Sequence, residues 1–96
     1  MGSFRSADYK APGGKLVRVR LEEENDEIRS IQISGDFFLV PEENLVKQEK
    51  MLVGVPLRES ELKMLVRRFF NATRSQGLGV SPEDFVQALL SAKTEA

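Results

Sequence analysis

The chain contains neither cysteine nor histidine among its 96 residues. Without cysteine it has no disulfide, thiolate nucleophile or iron–sulfur ligand, and without histidine it lacks the usual general base of an acyl-transfer triad. No apolar run approaches the ~18 residues that a membrane span requires, and the N-terminus lacks the apolar core of a signal peptide. We therefore expect a cytoplasmic protein that performs neither thiol nor histidine chemistry.

The length and the charge restrict the chain further. Ninety-six residues are enough for a single domain over 1–96, but not for a second core or a deep catalytic pocket. The 14 basic and 15 acidic residues leave a net charge of −1, which argues against nucleic acid as the main partner.

The first half of the chain predicts an antiparallel hairpin. Residues 16–21 alternate between an arginine-bearing face and an apolar face, with the period of two that a half-buried strand shows. A second strand is expected over 28–33, since Asn25-Asp26 can adopt the positive φ angles of a hairpin turn. Gly35 is expected to form a bulge or bend. Residues 1–8 predict either an arm or part of a short edge strand around Phe4 to Tyr9.

The second half predicts three helices. The first is expected to begin at Pro41 and to run to about Val53, with an apolar face built from Leu45, Val46, Leu52 and Val53. The second covers about 62–73, and Gly77 and Gly79 mark the break after it. Ser81 is placed to cap the third helix and Asp84 to complete a capping box. The predicted fold is α+β: a small antiparallel sheet covered on one face by about three helices.

One candidate binding segment is the turn Pro12-Gly13-Gly14-Lys15. Its backbone N–H groups, together with Lys10 and Lys15, offer positive charge to an anion. The alternative is a tight turn whose glycines only satisfy backbone geometry. The turn is not a phosphate-binding P-loop, because Leu16 opens a strand where that motif has serine or threonine opening a helix.

A second candidate is the segment from Ser34 to Phe38. Asp36 either serves as a cap or turn residue or faces a neighbouring site. Phe37 and Phe38 project to opposite sides of an extended chain. We therefore expect one of them in the core and the other exposed as an anchor for a partner.

The clustered charges predict solvated surface rather than sites. The glutamates within residues 22–27 lack regular ligand spacing, so they predict a turn instead of a metal site. Arg67, Arg68 and Arg74 predict a solvated helix end instead of an anion site. Because no nucleophile, base and oxyanion donor combine, we assign no catalytic, cofactor-binding or metal residue to the chain.

Three spaced motifs together resemble the C-terminal accessory domain of lipoate–protein ligases. They are Tyr9-Lys10-x-Pro12-Gly13-Gly14-Lys15-Leu16-Val17, Ile31-x-Ile33-Ser34-Gly35-Asp36-Phe37-Phe38 and Pro41-Glu42. The resemblance covers about residues 9–92 and is closest to the free-standing form, in which the domain is a small subunit beside the catalytic subunit. One departure is Asn25-Asp26, where relatives often carry a glycine in the turn.

The resemblance implies a non-catalytic subunit of an ATP-dependent ligase, working as a heterodimer. In such ligases the catalytic subunit binds lipoate, ATP and Mg, forms lipoyl-adenylate, and passes the lipoyl group to a lysine of an acceptor domain. The small domain supports the activation step. The resemblance implies that its surface toward the partner includes Lys10, Pro12, Gly13, Gly14, Lys15, Asp36 and Phe37.

Two other functions bear on this interpretation. The fold is similar to that of NifU-type iron–sulfur scaffold proteins, but cluster assembly is excluded because the chain has no cysteine. The competing hypothesis is a stand-alone interaction module of NifU-like fold, without a role in lipoylation, that binds through a sheet edge or through Phe37 and Phe38. A lipoyl acceptor is excluded, because acceptor domains are all-β and the second half here is helical.

Overall fold

The first half of the chain forms a three-stranded antiparallel sheet in the order β1-β2-β3. The computed structural model describes residues 2–94, in which the strands are β1 (Ser3–Lys10), β2 (Leu16–Glu24) and β3 (Glu27–Gly35). Asn25 and Asp26 close the β2–β3 hairpin with φ angles of 56° and 66°, as their side chains predict. The register shift of this pair lies between Glu22 and Glu23, so of the two alternatives predicted at Gly35 there is no bulge but a bend: β3 ends at Gly35 and the chain bends at Asp36.

The N-terminal segment is a full strand, longer than the short edge strand that its sequence predicts. It pairs with β2 along its whole length, from Ser3 opposite Glu23 to Lys10 opposite Leu16. Residue 1 of that prediction lies outside the described residues. The pairing places β2 at the centre of the sheet, where Val17 and Val19 are fully buried.

The second half contains the three predicted helices. They are α1 (Asn44–Leu52), α2 (Glu59–Thr73) and α3 (Pro82–Thr94). The predicted capping box at α3 is present, since the Asp84 carboxylate accepts the backbone N–H of Ser81 at 2.8 Å. No helix within residues 2–94 is long and apolar enough to cross a membrane.

The helices cover one face of the three-stranded sheet, which confirms the predicted α+β architecture. Helix α3 packs against β1, β2 and α2, while α1 packs against β3. The core between these layers is apolar and includes Val17, Val19, Leu21, Ile33, Leu62, Val66, Phe85 and Leu89. The opposite face of the sheet is open and carries Phe4, Arg18 and Arg20, which alternate along β1 and β2 with the residues that face the helices.

Helix α1 differs from its prediction in both its start and its buried face. It begins at Asn44 rather than at Pro41, which precedes the helix. The buried residues are Asn44, Gln48 and Leu52, whereas Val46 and Val53 are exposed. The Asn44 amide donates to Ser75 Oγ at 2.8 Å, and this polar contact at the start of the helix accompanies the burial of the face that carries Asn44, Gln48 and Leu52.

A second, two-stranded antiparallel sheet joins the halves of the chain. Its strands are β4 (Phe38–Val40) and β5 (Gln76–Leu78), and Phe38 lies opposite Leu78. Neither strand was predicted, because three residues are too few to show a periodic pattern. Gly77, expected only to break the helix, lies within β5, and Gly79 directly follows it. The predicted order of two strands and three helices therefore lacks β4 and β5.

Candidate functional site

Both candidate segments meet at one end of the three-stranded sheet. Residues 11–15 connect β1 to β2 as a tight turn, in which the Ala11 N–H donates to the Lys15 carbonyl and the Gly14 N–H to the Ala11 carbonyl, both at 2.8 Å. Ala11 is buried, while Pro12, Gly13 and Gly14 are exposed. The turn therefore presents its glycines to solvent from a fixed base.

Asp36 ties the second segment to the first. Its Oδ1 accepts the backbone N–H of Leu16 at 2.6 Å, and its own N–H donates to the Leu16 carbonyl at 3.4 Å. Leu16 is the residue directly after the turn, so the carboxylate fixes where β2 begins. Of the alternatives for Asp36, the structure shows a link between strands and not a helix cap.

Gly35 permits this close approach. A Cβ at this position would lie 2.0 Å from the Leu16 carbonyl oxygen and 2.9 Å from the Phe37 ring. Its φ of +154° is also one that side chains rarely adopt. Glycine is required here because the backbones of β2 and β3 converge where the β3–β4 connection leaves the sheet.

A third segment joins the same end of the sheet through Gly79. A Cβ on Gly79 would lie 2.4 Å from Cγ of Lys15, so the lysine stem crosses the glycine. A Cβ on Gly13 would lie 3.2 Å from the Gly79 carbonyl oxygen. We call residues 11–15, 35–37 and 77–80 together the loop junction. The sequence did not predict that residues 77–80 belong to this junction, although Gly77 and Gly79 are residues that permit a close approach of two backbones.

The two phenylalanines separate as the alternation predicts. Phe37 is 8% exposed and packs edge-on against Phe85, with ring centroids 5.2 Å apart. Phe70 continues the aromatic cluster at 5.7 Å from Phe85. Phe38 is 61% exposed. Phe37 therefore anchors the loop junction in the core and does not lie on the exposed surface that the resemblance implies for it, whereas Phe38 is exposed to a partner.

The charges near the loop junction are unevenly neutralised. On the open face of the sheet, Arg18 donates to both carboxylate oxygens of Asp8, at 2.8 and 3.0 Å. This hydrogen bond, with the charge of Arg18, holds the pKa of Asp8 below its ordinary value of 3.8. Within the described residues, Lys10 and Lys15 form no ion pair. The junction therefore carries one unneutralised ammonium group, that of Lys15, with a second on Lys10 directly before the junction.

The arrangement offers an exposed turn and an exposed aromatic side chain to a binding partner. Residues 2–94 contain no cluster of three acidic side chains able to hold a metal ion. The prediction that the whole acidic segment 22–27 is a turn was wrong, because only residues 25–26 form the turn and the glutamates lie in β2 and β3. Two of them, Glu23 and Glu24, pair with Arg5 and Arg29. The fold and the loop junction together define a small α+β accessory or binding domain.

The chain belongs to the family of bacterial lipoate protein ligase C-termini, whose sequence model matches residues 5–89. It is 41% identical over 92 residues to lipoate-protein ligase A subunit 2 of Thermoplasma acidophilum, covering 93% of this chain and 90% of that protein. It is also similar to a solved chain from a structural analysis of the archaeal lipoylation system of T. acidophilum. That match has a TM-score of 0.82 and 38% identity, and covers 93% of this chain and 97% of the other. The analysis concerned a bi-partite lipoate protein ligase and its E2 lipoyl domain.

Proposed function

We propose that this chain is the accessory subunit of a lipoate–protein ligase and acts in the cytoplasm with a separate catalytic subunit. The observation that carries the proposal is the near full-length similarity to a protein that is itself named subunit 2 of such a ligase. In this proposal lipoate, ATP and Mg bind to the catalytic subunit, which forms lipoyl-adenylate and serves the lipoyl acceptor domain. This chain supports the formation of the adenylate.

The geometry of the loop junction supports such a role. Two other segments support the turn over Pro12–Lys15, one through the Asp36–Leu16 hydrogen bond and the other through the contact of Gly79 with the Lys15 stem. A rigid, exposed turn can cover part of another subunit's site, exclude water from it and align its substrates. Lys10 and Lys15 would then bring positive charge to a site that handles phosphates and a carboxylate.

The stand-alone interaction module is less well supported. Strand addition at β3 is obstructed, because Ile28 already exchanges hydrogen bonds with the segment after α1: its N–H donates to Val55 O at 3.0 Å and its carbonyl accepts from Gly54 at 2.6 Å. Further along the same strand, the Glu49 carboxylate accepts the Ile33 N–H at 2.6 Å. One of the two edges of the sheet is therefore engaged at Ile28 and Ile33, and the near full-length similarity to a ligase subunit favours the accessory role over the stand-alone module.

The proposal is tested by separating the two steps of lipoylation. The catalytic subunit is supplied with lipoate, ATP and Mg, and lipoyl-adenylate is measured with and without this chain, an unrelated protein at equal concentration serving as the control. We expect adenylate formation to depend strongly on this chain. Transfer from preformed lipoyl-adenylate to an acceptor domain should depend on it much less. Equal rates of adenylate formation with and without the chain would overturn the proposal.

A further inference from the structure

The β4–β5 sheet exposes more large apolar side chains on its outer face than it buries on its inner face. Phe38, Val40 and Leu78 project from the outer face with exposed fractions of 61%, 47% and 49%. Phe38 and Leu78 are direct cross-strand partners, and Val40 follows Phe38 by two positions on the same side. Leu39, on the inner side, is buried in the core. We call Phe38, Val40 and Leu78 the outer ribbon face.

The outer ribbon face differs from the other exposed apolar positions. Phe4 lies on β1 and Met64 on α2, while Val46 lies on α1 and Val53 directly after it, seven residues and so about two helical turns from Val46. Isolated exposed hydrophobic residues are normal on a soluble domain, whereas adjacent ones mark an interaction surface. A cross-strand phenylalanine–leucine pair left in water calls for a partner that covers it.

An open cavity adjoins Phe38 and extends this surface. It has a volume of about 320 Å³ and lies between the end of β3 and the start of α1, where Ile33, Leu39 and Leu45 contribute apolar wall and Glu42 contributes charge. A protruding aromatic ring beside an open apolar cavity suits a protein surface, which can place side chains of its own in the cavity. The carboxylate of Glu42 adds a charged position at the rim of this cavity, where a complementary charge on the partner would orient it.

The outer ribbon face shares Leu78 with the loop junction and adjoins it again at Phe38, directly after Phe37. Phe38 follows Asp36 by two residues, and Leu78 directly precedes Gly79, which lies against the stem of Lys15. The Lys15 stem thus lies against the residue directly after Leu78, whose cross-strand partner is Phe38. A single partner protein can therefore contact both surfaces.

We infer that the outer ribbon face is the docking surface for the catalytic ligase subunit, with Phe38 and Leu78 as its anchors. This inference rests on the proposed function, which requires a second subunit beside the loop junction. The partner surface it specifies is apolar opposite Phe38 and Leu78 and carries an acidic group within reach of Lys15. Polar and charged residues around an apolar centre are the usual composition of a protein–protein interface.

The test measures the affinity of the purified catalytic subunit for variants of this chain by isothermal titration calorimetry. Phe38→Thr and Leu78→Thr each remove an apolar anchor but keep a residue that favours strands. We expect each to weaken binding by about tenfold or more, as truncation of an anchor does at other interfaces. Phe4→Thr is the matched control: the same substitution at a position that is 83% exposed, near the far end of β1. It should leave the affinity within about twofold.

The outcomes separate this inference from the function on which it rests. If the unmodified chain neither binds the catalytic subunit nor stimulates it, the proposed function fails. If the unmodified chain binds but Phe38→Thr and Leu78→Thr bind equally well, only the inference fails. Thermal melting checks that both variants stay folded. If one of them unfolds, the other still reports on the outer ribbon face, because Phe38 and Leu78 lie on separate strands. A dimer of the isolated chain that Phe38→Thr dissociates, with unchanged affinity for the catalytic subunit, would assign the face to a second copy and overturn the inference.

Discussion

Replacing Gly35 by alanine should disrupt the loop junction more than its single added methyl group suggests. The new Cβ would lie 2.0 Å from the Leu16 carbonyl oxygen, far inside van der Waals contact, and 2.9 Å from the Phe37 ring. The clash involves backbone on one side and a buried aromatic ring on the other. Neither can move without shifting β2 or the aromatic core, so relief of the clash must separate the two strands.

The magnitude follows from two contributions. An unfavourable positive φ costs about 1–2 kcal/mol for a residue with a side chain, and overpacking a closely packed site costs about 1–3 kcal/mol. Their sum is roughly 2–5 kcal/mol, a large part of the roughly 5–14 kcal/mol expected for a domain of this length. Gly54→Ala is the matched control, because Gly54 has a φ of +88° but nothing within 4 Å of the added Cβ. Gly54→Ala should lower the free energy of unfolding only by the about 1–2 kcal/mol that the positive φ costs.

Urea unfolding of both variants tests this reasoning. Gly35→Ala should lower the free energy of unfolding clearly more than Gly54→Ala, and its melting temperature should fall by about 4–8 °C for each kcal/mol lost. Stimulation of lipoyl-adenylate formation should fall at a temperature where the variant is still folded, because the turn over residues 11–15 loses its support. Equal losses of stability for the two variants would refute the close approach of β2 and β3 at Gly35.

Three further predictions concern single side chains. Gln48→Met should raise the free energy of unfolding by about 1–2 kcal/mol in urea titrations, because Gln48 is fully buried and its amide has no hydrogen-bond partner within residues 2–94. Asp36→Ala should cost about 1 kcal/mol and speed hydrogen exchange at the Leu16 amide; unchanged exchange would contradict the hydrogen bond. The Asp26 N–H, and then Arg5, hold the pKa of Glu23 below its ordinary 4.5. Glu23→Gln should therefore be less stable than the unmodified chain at pH 7, and the difference should vanish as the pH falls below 4.5.

The sequence predicts those elements whose side chains carry a periodic or local signal. The alternation along β2 specifies its buried face, and Asn25-Asp26 identify the hairpin turn by their tolerance of positive φ. Ser81 and Asp84 mark the start of α3 because the capping box is itself a local hydrogen-bond pattern. The separation of Phe37 from Phe38 follows from strand geometry alone.

The remaining features depend on contacts between distant segments. Strand β5 exists because its three residues pair with β4, which the intervening helices bring into reach. The buried face of α1 includes Gln48 rather than Val46, an orientation that no hydrophobic pattern predicts and that the Asn44–Ser75 contact accompanies. The meeting of Gly79 with Lys15 likewise arises from tertiary packing. Local sequence therefore predicts two of the three segments of the loop junction but not their assembly.

As an accessory subunit, this chain should support activation of lipoate at one copy per catalytic subunit. A titration of this chain into a fixed concentration of the catalytic subunit with lipoate, ATP and Mg, followed by the initial rate of lipoyl-adenylate formation, measures this. We expect a rate that rises with each addition and saturates at one equivalent of this chain. A rate that is unchanged across the titration would contradict it.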